Sequence, residues 1–217
     1  MNASHELRNP LGALLMRVEY LATGLDESWE DDMEKVREEG QRMSRILDTL
    51  LYMARAGQKD SPFAPVDLAG LAADRVDAWR QVAGERRVEF VLGGVPRATS
   101  VTDRTAVESA LDAVLDNALK FAPAGSSIDV TVLREDDVCS ISVRDHGPGL
   151  EPEELARVTD RFWRSPRDQN VPGSGLGLAI ATDLLGVLGG QVEVSVPEGA
   201  GGGGLRVVLR LPAGGAS

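Results

Sequence analysis

His5, Glu6 and Asn9 stand close together near the start of the chain. An imidazole is a nucleophile, and a carboxylate beside it can orient and polarise it. Asn9 lies one helical turn on from His5, on the same face, where its amide could hold a water in line with a phosphoryl group. Far downstream, Asn117 and Lys120 are three apart in a helical pattern and share a face. An amide oxygen is a hard ligand that suits Mg²⁺, and a lysine offsets phosphate charge. Asp145 ends a strand pattern and is followed by His146-Gly147-Pro148-Gly149. Its carboxylate could accept the exocyclic amine of adenine, while the glycines let a flat base approach the backbone. Gly173, Gly175 and Gly177 then run into a helix start, where backbone amides and the helix dipole favour phosphate. Taken singly, each has a plainer reading: a surface histidine, two exposed polar residues on a helix, a strand-ending turn, a glycine-rich loop. The glycine spacing fits neither the Walker pattern nor the dinucleotide fingerprint.

These residues need elements to position them. Leu7, Leu11, Leu14, Val18, Leu21 and Leu25 step by four, three, four, three and four, the seam of a helical bundle. Pro10 predicts a kink within that helix. His5 falls beside the seam, where it is reachable. Thr23-Gly24 marks a turn, and acidic residues open a second helix near Ser28–Asp31. Its seam is Val36, Gly40, Met43, Leu47, Leu50 and Ala54. Two such helices lack partner surface, so the pattern predicts a hairpin that dimerises into a four-helix bundle. The domain boundaries read as 1–57 for this hairpin, 58–65 for a linker rich in breakers, and 66–217 for a second domain.

In the second domain, helix and strand patterns alternate. Helices are expected at Leu68–Val82, Thr105–Phe121 and after Gly177, with strands at Val88–Leu92 and Thr99–Val101. Ser127–Arg134 with Val138–Arg144, and Gln191–Val196 with Leu205–Leu211, read as hairpins. The grouping predicts an α+β sandwich, a mixed sheet with helices on one face. Residues 199–204 read as a flexible hairpin loop and Ala213–Ser217 as a disordered tail.

Composition excludes several classes. With 23 Lys and Arg against 34 Asp and Glu, the net charge is −11, which argues against a nucleic-acid surface. Cys139 is the sole cysteine, so no internal disulfide forms, and its strand setting makes it a core residue. No apolar run approaches the ~18 residues that span a bilayer, and no signal peptide is evident.

In this order the segments resemble the sensor histidine kinase family, over nearly the whole chain. HELRNP at 5–10 resembles the phosphoacceptor box, NALKF at 117–121 the N box, and DHGPG at 145–149 the first glycine box. RFWR at 161–164 resembles the F box, and GSGLGL at 173–178 the second glycine box. The resemblance implies a Bergerat-type ATP-binding fold after the helical hairpin, with ATP and Mg²⁺ as cofactors. His5 would accept the γ-phosphoryl group with Glu6 as its base, and Asn9 would position a hydrolytic water. Asn117 would bind Mg²⁺, Lys120 phosphate and Asp145 adenine, with Phe121, Gly147 and Gly149 completing those boxes. Residues 150–172 would form a lid docked by Phe162, with Arg164 reaching the phosphates. Gly173, Gly175, Leu176, Gly177 and Leu178 would cradle the triphosphate. The implied partners are a second copy of the chain and the receiver domain of a response regulator. The implied location is the cytoplasmic portion of a membrane-anchored bacterial protein, because the family carries more helix upstream of the acceptor.

One position departs from the pattern. Where the family often has a second asparagine, one turn before the metal ligand, this chain has Ala113. An ATPase of the same fold would need a carboxylate base there, which Ala113 cannot supply. A degenerate kinase that dimerises, binds nucleotide and docks partners is the alternative reading.

Overall fold

The chain divides into two compact units, residues 1–59 and 60–217. The computed structural model describes residues 63–161, 163–168, 171, 175–197 and 203–214, all in the second unit. The two helical seams and the acceptor segment therefore lie outside the described residues, and the architecture below is that of the second unit.

Seven strands and four helices are described. A two-stranded antiparallel sheet joins β1 (Ala64–Asp67) to β3 (Thr99–Thr102). A five-stranded sheet has the order β2-β4-β5-β7-β6, built from β2 (Glu89–Gly94), β4 (Ser127–Glu135), β5 (Val138–Arg144), β7 (Arg206–Pro212) and β6 (Gln191–Ser195). β2 runs parallel to β4, and every other neighbouring pair is antiparallel. The helices are α1 (Leu68–Glu85), α2 (Arg104–Phe121), the short α3 (Pro152–Leu155) and α4 (Gly177–Val187), with a 3₁₀ turn at Pro166–Asp168.

Alternation along the strands decides which face is covered. Ile128, Val130 and Val132 on β4, Cys139, Ile141 and Val143 on β5, and Val207, Leu209 and Leu211 on β7 are all buried. Residues between them point to the other side of the sheet, as the twofold period of a strand requires. The inner face meets α1, α2 and α4. On α2, Ala106, Val107, Ala110, Leu111, Val114, Leu115, Ala118 and Leu119 form the buried stripe, at helical spacing. Cys139 is fully buried, where desolvation raises its thiol pKa. It is the core residue its strand pattern predicts.

Helix starts are set by side chains. Asp67 caps α1, its Oδ1 accepting from Ala69 N at 3.2 Å and from Ala98 N at 3.0 Å, which also ties the helix start to the residue just before β3. Asp103 caps α2 by accepting from Ala106 N at 3.2 Å. Arg75 grips Asp112 through two bonds of 2.8 Å, and Trp79 Nε1 donates to the same carboxylate at 2.9 Å, so α1 is fastened to α2.

Two boundaries differ from the sequence reading. Residues 64 and 65, placed in the linker, belong to β1 and pair with Thr102 and Val101. Pro65 disguises this strand, yet a proline is tolerated on a short edge strand. The tail begins later than expected: Ala213 N donates to Asp137 O at 2.7 Å and Gly214 N to Thr99 O at 2.8 Å, so these two residues are built into the fold.

Candidate functional site

The site forms where α2 ends, β5 ends and α4 begins. Asp145 follows β5 immediately and is 3% exposed. Its Oδ1 accepts from Gly147 N at 2.8 Å and from Leu205 N at 3.1 Å. Both backbone donors converge on one oxygen, leaving Oδ2 to accept from an outside donor. Burial raises the carboxyl's pKa, and the amides of Gly147 and Leu205 pull against that rise. A buried carboxylate oriented in this way can read an amine.

The glycines here are dictated by clearance. A Cβ on Gly147 would lie 2.5 Å from the carbonyl oxygen of Phe121, so the end of α2 rests directly on the Asp145 loop. Gly204 has φ +83°, and a Cβ there would lie 1.9 Å from the carbonyl oxygen of Asp145. Gly149 faces Gly204, and Gly177 faces the backbone of Ala113, its virtual Cβ 3.4 Å from that oxygen. These close approaches seat the Asp145 loop against the end of α2 and against Gly204, and set the start of α4 on α2 at Ala113.

Asn117 and Lys120 sit in the last turns of α2, both half-buried. Lys120 Nζ is paired with Asp116 Oδ2 at 2.5 Å within the helix, each side chain a little over a quarter exposed. Such a partly exposed pair is worth little, so the ammonium can exchange partners. α4 opens at Leu176 without a side-chain cap, and Gly175 precedes it at φ +67°. A helix N-terminus of this kind is suited to an anion. Leu178 differs from the expectation in one respect: its side chain is 5% exposed and belongs to the core, so only its backbone is available to a ligand.

Between these parts runs the segment after Gly149. Glu154 accepts from Ser165 Oγ at 2.6 Å and from Arg167 at 2.5 Å, and closes the capping box of α3 through Glu151 N at 2.9 Å. The Ser165 hydroxyl and then the Glu151 amide hold its carboxyl pKa below the usual range. Arg161 pairs with Asp183 of α4 at 2.8 Å. Arg164 donates to Val171 O at 2.5 Å. His5, Glu6, Asn9, Phe162 and Gly173 lie outside the described residues.

Sequence reasoning missed several contributors. Gly204 and the Leu205 amide, read as part of a loop and the start of a strand, complete the seat of Asp145. The run of glycines before β7 was the available signal, but a backbone donor leaves no side-chain trace. His146 Nε2 lies 3.1 Å from Asp129 Oδ2, tying the Asp145 loop to β4. Among the described residues no group of three or more His, Cys, Asp or Glu could cage a metal. No helix among them is long and apolar enough to cross a membrane.

The comparisons with known proteins agree with this geometry. Residues 102–215 match the family described as histidine kinase-, DNA gyrase B- and HSP90-like ATPase. Residues 1–59 match the His Kinase A (phospho-acceptor) domain. The swarming motility regulation sensor protein RssA of Serratia marcescens is 34% identical, over 97% of this chain and 45% of its own length. The sensor histidine kinase WalK of Bacillus subtilis is 32% identical, over 92% of this chain and 34% of its own length. This chain thus spans less than half the length of either relative. Among solved structures, full-length ShkA in complex with AMPPNP superposes with a TM-score of 0.75 at 30% identity, covering 99% of this chain and 45% of that one. A phosphoacceptor match followed by an ATPase-fold match, with the Asp145 seat assembled inside the second, makes this chain a member of the two-component sensor histidine kinase family.

Proposed function

We propose that this chain transfers the γ-phosphoryl group of ATP to His5 and then to an aspartate of a response regulator. The observation that carries the nucleotide half is Asp145, buried and held through Oδ1 by two backbone amides, with Oδ2 left for the exocyclic amine of adenine. The loop glycines give the flat base room, and the α4 N-terminus with Lys120 receives the phosphates. The imidazole of His5 attacks the γ-phosphorus, the bond to the bridging oxygen breaks, and ADP leaves, while Glu6 takes the imidazole proton. Asn9 orients water when the chain instead removes phosphate from its partner. Phe162 docks the lid, Arg164 turns to the phosphates, and a homodimer supplies the acceptor bundle.

The donor set suits Mg²⁺. A half-buried amide at Asn117, with no carboxylate cage among the described residues, fits an ion that takes most of its ligands from phosphate and water. Mg²⁺ when bound would neutralise charge on the phosphates, and Asn117 would hold it. Ala113 offers no second amide, which favours the docking-module reading as the alternative.

The test is incubation of the chain and of His5→Gln with γ-labelled ATP and Mg²⁺. Acid-labile, alkali-stable label on the parent and none on the variant is the expected result. Label surviving in the variant would remove His5 and turn attention to His146. No label on either chain, with nucleotide still bound, would overturn the kinase reading for this chain and favour the docking module.

A further inference from the structure

The outer face of the five-stranded sheet carries an arrangement that nucleotide binding does not use. Arg144 on β5 and Arg206 on β7 are directly opposite in the antiparallel register. Directly opposed residues share a face, and like charges so placed repel. Their inner neighbours Val143 and Val207 are buried, so both arginines point away from the helices and from the Asp145 seat.

Neither arginine makes an ion pair among the described residues, although the carboxylate of Asp129 stands beside Arg144 in the register. Arg206 Nε donates to the neutral hydroxyl of Ser142 at 3.3 Å. The Nε of Arg144 is buried and has no hydrogen-bond partner. Its register neighbour on the other side, Asp129, directs a carboxylate oxygen at His146. Arg206 meets Ser195 on β6. The contrast is on the same strand: Arg210 points to the same face and has Glu193 at 2.7 Å. A buried guanidinium donor without an acceptor costs free energy, and an opposed like charge adds to it. An oxyanion held between the two arginines would relieve the like-charge opposition, since guanidinium matches carboxylate and phosphate geometry.

We infer that Arg144 and Arg206, with the Ser142 hydroxyl beneath them, form an oxyanion site on the outer face of the sheet. Its ligand is a phosphate or carboxylate group, either free or carried on an acidic protein segment. The inference stands apart from the proposed kinase activity, because no residue of the nucleotide site enters it.

The test is a titration of the full chain at low ionic strength, following the Arg Nε–Hε resonances, assigned with Arg144→Lys and Arg206→Lys. One arm uses inorganic phosphate and the other a hexaglutamate peptide. The expected result is that both resonances shift along one saturable curve, and that Arg206→Gln weakens the affinity about tenfold, the loss of one charge-assisted hydrogen bond. Phosphate acting within about tenfold of the peptide would make it a free-anion site. A peptide advantage greater than that would make it a docking point for an acidic segment. Resonances that stay still or drift without saturation, or an affinity unchanged in Arg206→Gln, would overturn the inference. Thermal unfolding of Arg206→Gln without added anion serves as the fold control, with an unchanged or raised Tm expected from relief of the like-charge pair.

Discussion

Asp145 performs two tasks with its two oxygens. Oδ1 serves the fold, through Gly147 and Leu205, and Oδ2 serves the ligand in the function proposed above. Asp145→Asn separates them, because an amide oxygen still accepts from both backbone donors while the charge disappears. We expect nucleotide affinity to fall about 10- to 100-fold, the worth of a hydrogen bond to a charged acceptor, with Tm unchanged or higher. Calorimetric titration with ADP and a thermal scan check both. The pH dependence has a definite sign. Burial lifts the folded carboxyl above its ordinary 3.8, so the folded chain holds this proton more tightly than the unfolded one. Its contribution to stability therefore declines as pH rises through the window above 3.8 and is regained on acidification. Nucleotide affinity runs the other way, since the acceptor must be ionised. It should decline on acidification at a pH above that of an unperturbed carboxylate, and Asp145→Asn should flatten this profile.

At the level of elements, the Arg75–Asp112–Trp79 clamp matters most to the site, because it fixes the helix that carries Asn117 and Lys120. Asp112→Ala leaves an arginine and an indole donor without their acceptor. We expect a loss of about 2–3 kcal/mol in denaturant unfolding, read by circular dichroism. This clamp was not legible in the sequence. Asp112 looks like any polar helix residue, and its partners stand 37 and 33 positions away. The α2 stripe and the two antiparallel hairpins were legible, because 3.6- and 2-residue periods survive without tertiary knowledge. The parallel pairing of β2 with β4 was not, since a parallel register leaves no turn signal. β1 escaped for a related reason: it is four residues long and contains Pro65. Of the site, the side-chain positions Asn117, Lys120 and Asp145 could be named from residue type and order. The half made of backbone amides and clearances, Gly204 and Leu205 above all, could not.

For the molecule as a whole, the division into residues 1–59 and 60–217 predicts two unfolding transitions in the full chain. ADP should raise the midpoint of only the transition of the second unit, by mass action on its folded form. Differential scanning calorimetry with and without ADP tests this; one merged transition that moves as a single event would show that the units unfold cooperatively. The charge pattern also reads at this scale. A chain of net charge −11 keeps two arginines side by side on one sheet face, neither in an ion pair among the described residues, against the average of its surface. A local field opposite to the global one marks a place where an anion is steered to one spot.

The shared oxygen of Asp145 has a spectroscopic consequence. The amide protons of Gly147 and Leu205 point at one atom from segments 58 positions apart. Both resonances should lie downfield, and both should report the same carboxyl when it gains or loses its proton. A substitution that pulls β7 away from the Asp145 loop would break that agreement, releasing the Leu205 signal while the Gly147 signal still titrated. Two amides in an ordinary ¹⁵N spectrum thus form a built-in gauge of whether the seat is assembled.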